Sequence, residues 1–331
     1  MARDITVKIS IKEVIGKTPF GYPLIFAGKQ TQAVDYIECK KHEDVKTAGF
    51  AETTDVYKAA ELLFKQKDAP AKIAVCASTD TAVTALEAIK TKEWRQLIVT
   101  SAGTEGESTA AEIAAWVEKN KKMFFTTVTE TSGLTDYKDF DRTILFYYTG
   151  EGVTNPEAAL VGATSGKMAG SFTYKNIILK GIEPLALSDT EIEAAHTAGC
   201  ITFVTKAGDN VTTEGKVASG EYIDIIDSID FVIETMEYRM QKLLNSVDKL
   251  GYDNNGIAQL ESVAISVLQE AYTNGIIAST DDGQPNYTVS FEPRSASSEA
   301  DRKSRIYNGG RFTFGLRGAI HYANINGEIE I

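Results

Sequence analysis

Between residues 55 and 170, short apolar runs alternate with helix-like stretches, and that order limits the fold more than any other feature of the chain. "DVYKAAELLFKQ", "DTAVTALEAIK" and "STAAEIAAWVEKN" read as helices; "KIAVCAS", "QLIVTS", "FFTTVT" and "TILFYYT" read as strands. Strands that alternate with helices predict an α/β layer with a largely parallel sheet, because parallel neighbours need a crossover and the helix supplies it. The strands are apolar along their length, as strands covered by helices on both faces must be.

The second half changes style. Ser188 and Glu191 have the spacing of a capping box ahead of "EAAHTAG", with Gly199 as the stop, and the strand "CITFVTK" follows. In "SGEYIDIIDSIDFVIETMEYRMQKLLNSV", Ile225, Ile229, Val232, Met236, Met240, Leu243 and Val247 recur at intervals of three and four. That spacing predicts one long amphipathic helix with its methionines as core filler. "GIAQLESVAISVLQEAYTNG" predicts a second helix, with Ile257, Leu260, Ala264, Val267, Leu268 and Ala271 inward, and "YTVSFE" a strand after it.

Both ends of the chain carry period-two patterns. Ile5, Val7, Ile9 and Ile11 alternate with polar residues near the start; Phe312, Phe314, Leu316, Ile320 and Tyr322 share one parity near the end. After Asn324 the apolar parity passes to Ile325, Ile329 and Ile331. Such ribbons need a partner edge, because unpaired edges with apolar faces invite association. A hairpin turning at Asn326-Gly327 is the reading that keeps the last strand within one chain.

Composition excludes several classes of function. A net charge of -12 argues against a nucleic-acid partner, which calls for clustered Lys and Arg. No apolar run approaches the roughly 18 residues of a membrane helix. With 331 residues and 43% hydrophobic content, a sizeable core and two domains are expected. Cys39, Cys76 and Cys200 are few and far apart, which suits buried free thiols, a reducing compartment and cytoplasmic synthesis.

A catalytic constellation is hard to assemble. "SAGTEGES" places Gly103 and Gly106 between a strand and a helix but lacks the endings of phosphate-binding loops. His42, His196 and His321 are scattered, and Asp136, Asp139 and Asp141 lack the order of a calcium loop. Asp224, Asp227 and Asp230, three apart at a helix start, read as complements to the helix dipole. No catalytic residue, metal ligand or cofactor is expected. The competing reading is an α/β enzyme or small-ligand binder using the sheet-edge crevice near Ser78, Thr100, Ser101 and Gly103, which would remain a discrete small oligomer.

Taken in order, "KMAGSFTYKNIILKGIEPLALSDTEIEAAHTAGCITFVTKAG", "SGEYIDIIDSIDFV" and "RFTFGLRGAIHYANINGEI" resemble the contractile tail sheath proteins of myophages and R-type bacteriocins. A Gly-Ile step at Gly181 and Ile182, then the helix start Gly220 to Asp224, follow that family's pattern, and the resemblance spans roughly residues 50 to 331. It implies an α/β sheet body plus a second α+β domain, with extended β-strand arms at both termini. The expected divisions are an arm strand over 1–20, the α/β body over 21–183, an α+β sheath domain near the tube over 184–310 and a second arm strand over 311–331.

The resemblance also implies a non-enzymatic subunit that polymerises with its own copies as stacked hexameric rings around an inner tail tube protein. Baseplate and tail-terminator proteins would be further partners, in a phage tail or bacteriocin particle assembled in the bacterial cytoplasm. Neither a nucleic-acid partner nor direct membrane insertion is expected. The arm residues Ile5, Val7, Ile9, Ile11, Phe312, Phe314, Leu316, Ile320, Tyr322, Ile325, Ile329 and Ile331 would join neighbouring copies by strand addition. Arg294, Arg302, Lys303 and Arg305 would face the tube. A tube or baseplate component is a further alternative, although tube proteins are normally small and mostly β.

Overall fold

Alternation of strand and helix builds a single seven-stranded sheet. The computed structural model of the protein describes residues 21–101 and 107–323. The elements of the body are β1 (Tyr22–Lys29), β2 (Val34–Cys39), α1 (His42–Thr47), α2 (Asp55–Phe64), β3 (Ile73–Ser78), α3 (Ala82–Ile89), β4 (Trp94–Val99), α4 (Ala110–Lys119), β5 (Met123–Val128), β6 (Thr143–Tyr147) and α5 (Glu157–Thr164). There follow α6 (Asp189–Thr197), β7 (Cys200–Ile201), β8 (Phe203–Lys206), β9 (Asp209–Thr212), α7 (Ile223–Ser246), α8 (Asn254–Thr273), β10 (Tyr287–Phe291), α9 (Glu299–Ser304) and β11 (Gly310–Phe314).

The sheet runs β2-β3-β1-β4-β5-β6-β7, parallel except for the antiparallel edge strand β2. Successive residues of a strand point to opposite faces. Ile25, Val75, Ile98, Phe125 and Phe146 meet Ala59, Leu63, Leu160 and Val161 of α2 and α5 on one face. Leu24, Phe26, Cys76, Leu97 and Phe124 meet Leu86, Ile113 and Val117 of α3 and α4 on the other. Every residue of α5 is buried, and Gly162 lets it touch α2: a Cβ there would stand 2.3 Å from the Leu63 carbonyl oxygen.

The capping box at α6 forms as its spacing predicts, with the Ser188 hydroxyl accepting from Glu191 N–H and the Glu191 carboxylate accepting from Ser188 N–H at 2.8 Å. The strand expected over "CITFVTK" divides in two. Cys200 and Ile201 close the sheet beside Leu145 and Phe146, so its last strand comes from beyond residue 183. At the buried Thr202 the chain then leaves the sheet, and Phe203–Lys206 pairs with β9 as a separate ribbon.

The long helix α7 forms, but its inner face is rotated from the expected stripe. Phe231, Val232 and Met236 do pack on Ala264, Val267, Leu268 and Ala271 of α8. Ile229, however, is 38% exposed, whereas Asp227 and Asp230 are 6% exposed. The cause is two arginines on the sheet. Arg95 of β4 donates from Nη2 to Asp227 Oδ1 and from Nη1 to Asp230 Oδ2, both at 2.7 Å. Arg142, ahead of β6, donates to both Asp230 oxygens at 2.7 and 2.9 Å, and the Tyr174 hydroxyl donates to Asp227 Oδ2 at 3.0 Å. Burial alone would push the Asp230 carboxyl up, but the hydrogen bonds from Arg142 and the two guanidinium charges hold its pKa below the ordinary carboxylate value.

Removing one partner of a buried pair strands the other charge, a loss of about 3–5 kcal/mol. Asp230→Ala is therefore expected to lower the unfolding free energy by about that amount in urea denaturation. In the native protein, a depressed folded pKa contributes stability above the unfolded value of about 3.9 that is lost as the pH falls through the folded value. Denaturant midpoints measured on acidification should thus fall for the native chain, with the Asp230 share of that fall missing from the variant.

Candidate assembly surface

The carboxyl edge of the sheet, where an α/β enzyme would hold its ligand, is filled by the chain's own carboxylate. Glu107 accepts from Lys29 N–H at the end of β1 and from Ala82 N–H at the start of α3, both at 2.5 Å, and from Ser108 N–H at 2.7 Å. The Ser108 hydroxyl accepts from Val83 N–H. A helix N-terminus ready for an anion is therefore occupied from within. Gly28 makes the fit possible: a Cβ there would stand 1.6 Å from Ser101 Oγ and 2.6 Å from Glu107 Oε2. Gly103 and Gly106 lie outside the described residues. All three cysteines are buried and free, and burial pushes the Cys76 thiol up to about 12, far from a thiolate nucleophile.

The C-terminal ribbon begins by pairing within its own chain. β11 lies antiparallel to β10, with Phe314 opposite Tyr287 and Phe312 opposite Val289, and Leu316 bridges to Ile277. Phe314 and Leu316 pack with Tyr287, Val289 and Phe291 against α8, while Phe312 is 40% exposed. One side of residues 310–314 thus pairs within the same chain, onto β10. The alternation of Tyr287, Val289 and Phe291 supplies the matching face on a strand that α8 already holds. Among the described residues β11 has no strand on its second side. Ile5, Val7, Ile9, Ile11, Ile325, Ile329 and Ile331 lie outside the described residues.

Beyond Leu316 the chain returns across the body. Ile320 is 91% exposed and Tyr322 68%, yet His321 between them has a side chain only 7% exposed. Its Nε2 lies 2.9 Å from Thr173 Oγ1 and its Nδ1 3.3 Å from Glu214 Oε1, and its ring meets Tyr222 edge-on with centroids 4.9 Å apart. Lys175, 6% exposed, donates to the His321 carbonyl at 3.3 Å and places Nζ 3.4 Å from the centre of the Tyr322 ring. The Tyr322 hydroxyl donates to Glu214 Oε2 at 3.3 Å. Burial pushes the Glu214 carboxyl up, but the Gly215 N–H and the charges of Lys175 and Lys216 outweigh it and hold the pKa below its ordinary value.

The four basic residues expected to face the tube surround the short helix α9. Arg294, Lys303 and Arg305 are exposed; Arg302 is half-buried and donates back to the Ser297 carbonyl. Ser298 caps α9, with Glu299 and Asp301 in its first turn and Arg302 and Lys303 in its last, charges that suit the helix dipole. Sequence reasoning missed two groups: the Arg95–Asp230 network and the Lys175–Glu214–His321 cluster. Both join residues more than a hundred positions apart. The only local signal was the spacing of Asp224, Asp227 and Asp230.

No protein-family model matches the chain, and no curated protein matches it. Its likeness is to solved structures. A chain of the anti-feeding prophage baseplate superposes with a TM-score of 0.73 at 10% identity, over 100% of this chain and 98% of that one. The sheath complex of the extracellular contractile injection system PVC, in its contracted state, gives 0.68 at 11% identity over 100% and 99%. The sheath tail protein of Listeria innocua gives 0.59 at 11% identity over 90% and 96%. Across its whole length, this chain has the fold of the contractile sheath proteins.

Proposed function

We propose that the protein is a structural subunit of a contractile sheath, polymerising with its own copies as a six-fold helical array around an inner tube and shortening to drive that tube forward. The observation that carries this reading is the end-to-end likeness to chains of contractile particles, which covers 100% of this chain and 98% and 99% of the two compared chains. Glu107, bonded to Lys29 N–H and Ala82 N–H at the carboxyl edge of the sheet, offers the enzyme reading no support. The side of β11 that has no strand among the described residues, and the residues at either end of the chain, are the proposed joints between copies.

Each joint is weak by itself. A backbone hydrogen bond contributes about 0.5–1.5 kcal/mol net, so one added strand is a modest link and only the array makes it strong. Head-to-tail contacts that do not close produce an open helix, the symmetry a sheath needs. No nucleotide is required if the extended array is a kinetic trap that relaxes on contraction. The tube, the baseplate and a tail terminator are the proposed partners, in a phage tail, bacteriocin or related injection particle, with residues 184–310 toward the tube.

Electron microscopy of the concentrated protein tests this reading. Hollow striated cylinders are expected, and monodisperse small particles would contradict it. Deleting residues 324–331 should leave the circular dichroism spectrum and cooperative unfolding native-like while abolishing cylinders; normal cylinders from the truncated chain would sink the role of that segment. For the tube-facing region, Lys303→Glu with Arg305→Glu should weaken coating of isolated tubes, and most at low salt, where exposed charges act over the longest range. Unchanged coating would move the tube contact elsewhere.

A further inference from the structure

The segment from Ala319 to Ala323 is held in an unusual way. Two of its residues are turned outward and nearly bare, and the one between them is sunk into the body. The body commits Lys175 to holding it, a lysine 6% exposed. A buried ammonium is costly unless something replaces its water. Lys175 finds that replacement in the His321 carbonyl and the face of the Tyr322 ring, both supplied by the segment itself. Glu214, nearly buried, serves the same two residues from the other side.

Filling a gap in the core does not account for this arrangement. Tyr322 remains 68% exposed although one face of its ring lies on an ammonium and its hydroxyl is bonded. Ile320, of the same parity, is 91% exposed, the most exposed large apolar side chain among the described residues. An isoleucine and an open aromatic face, side by side on a fixed backbone, make a small apolar patch, and aromatic anchors of this kind dominate contact energies when a partner covers them. The patch lies just ahead of residues 324–331, whose Ile325, Ile329 and Ile331 continue the apolar sequence.

We propose that Lys175, Glu214 and Thr173 form a clamp on His321 and Tyr322 that fixes the root of the C-terminal segment, presenting Ile320 and the free face of Tyr322 to a second copy of this chain. The proposal rests on the sheath reading and adds the residues that aim the joint. Lys175 is a positioning residue: it touches the tail of its own chain and acts on the neighbour only through the direction in which that tail leaves. Pre-ordering the root lowers the entropy lost when a neighbour docks, so the clamp acts on the concentration at which copies assemble.

Three variants of the full chain test it, each read by sedimentation for the critical concentration and by hydrogen exchange for the amides of residues 318–323. Lys175→Met should raise exchange there and raise the critical concentration about tenfold, equivalent to about 1.4 kcal/mol per contact. Ile320→Ser should leave exchange in the free subunit unchanged and still raise the critical concentration, because its side chain touches only the neighbour. Tyr322→Phe keeps the ring on Lys175 and should assemble nearly as the native chain does. If Lys175→Met fails to fold, Tyr322→Ala, at an exposed position, removes the ring contact in its place. Loss of protection at native critical concentration, or native assembly by Ile320→Ser, would overturn the clamp while leaving the sheath reading intact. A native chain that never associates would overturn both.

Discussion

Two guanidinium groups and two carboxylates, sealed between the sheet and α7, decide how the second half of the chain can sit on the first. Arg95 lies on β4 and Arg142 just ahead of β6, so both cations approach α7 from the same sheet. An unpaired buried guanidinium is expensive, and only the face of α7 that carries Asp227 and Asp230 satisfies both. Once that face is turned inward, Val232 and Met236 seat α8, and α8 carries β10 and β11. The exit of the C-terminal segment follows from the same contact. Tyr174 reaches inward to Asp227, and its neighbour Lys175 holds His321 and Tyr322. The core network and the proposed assembly surface are thus one residue apart.

How much of this could be read from the sequence depended on how local the signal was. The helices and strands between residues 55 and 147 follow from their periods, and Ser188 with Glu191 marked the start of α6 because a capping box is closed by residues three apart. β1 was not read as a strand, although it is the one wedged between β3 and β4 in the middle of the sheet. Its position depends on pairing with strands about 50 and 70 residues further on, which no local pattern encodes.

The remaining misses have the same origin. Ile225 and Ile229 looked like the inner stripe of α7 because apolar periodicity treats aspartate as a surface residue; Arg95, more than 130 positions away, reverses that choice. The C-terminal ribbon was read as a strand needing an edge, and which edge its first residues take on one side, that of β10, carried no local signal. The candidate site was legible as a type of surface, a strand with an open side, and not as a constellation. Lys175, Glu214 and His321 carry no motif, and only the tertiary fold brings them together.

In the proposed assembly, the side of β11 left without a strand among the described residues and the clamped tail are joints between copies. The most direct measurement is a helical cryo-electron-microscopy reconstruction of the assembled full-length protein, traced at residue resolution around β11. A backbone segment from another copy is expected along the second side of β11 at the strand spacing of about 4.8 Å, with Ile320 and Tyr322 covered by that neighbour. A reconstruction in which β11 borders solvent and Ile320 stays bare would contradict it.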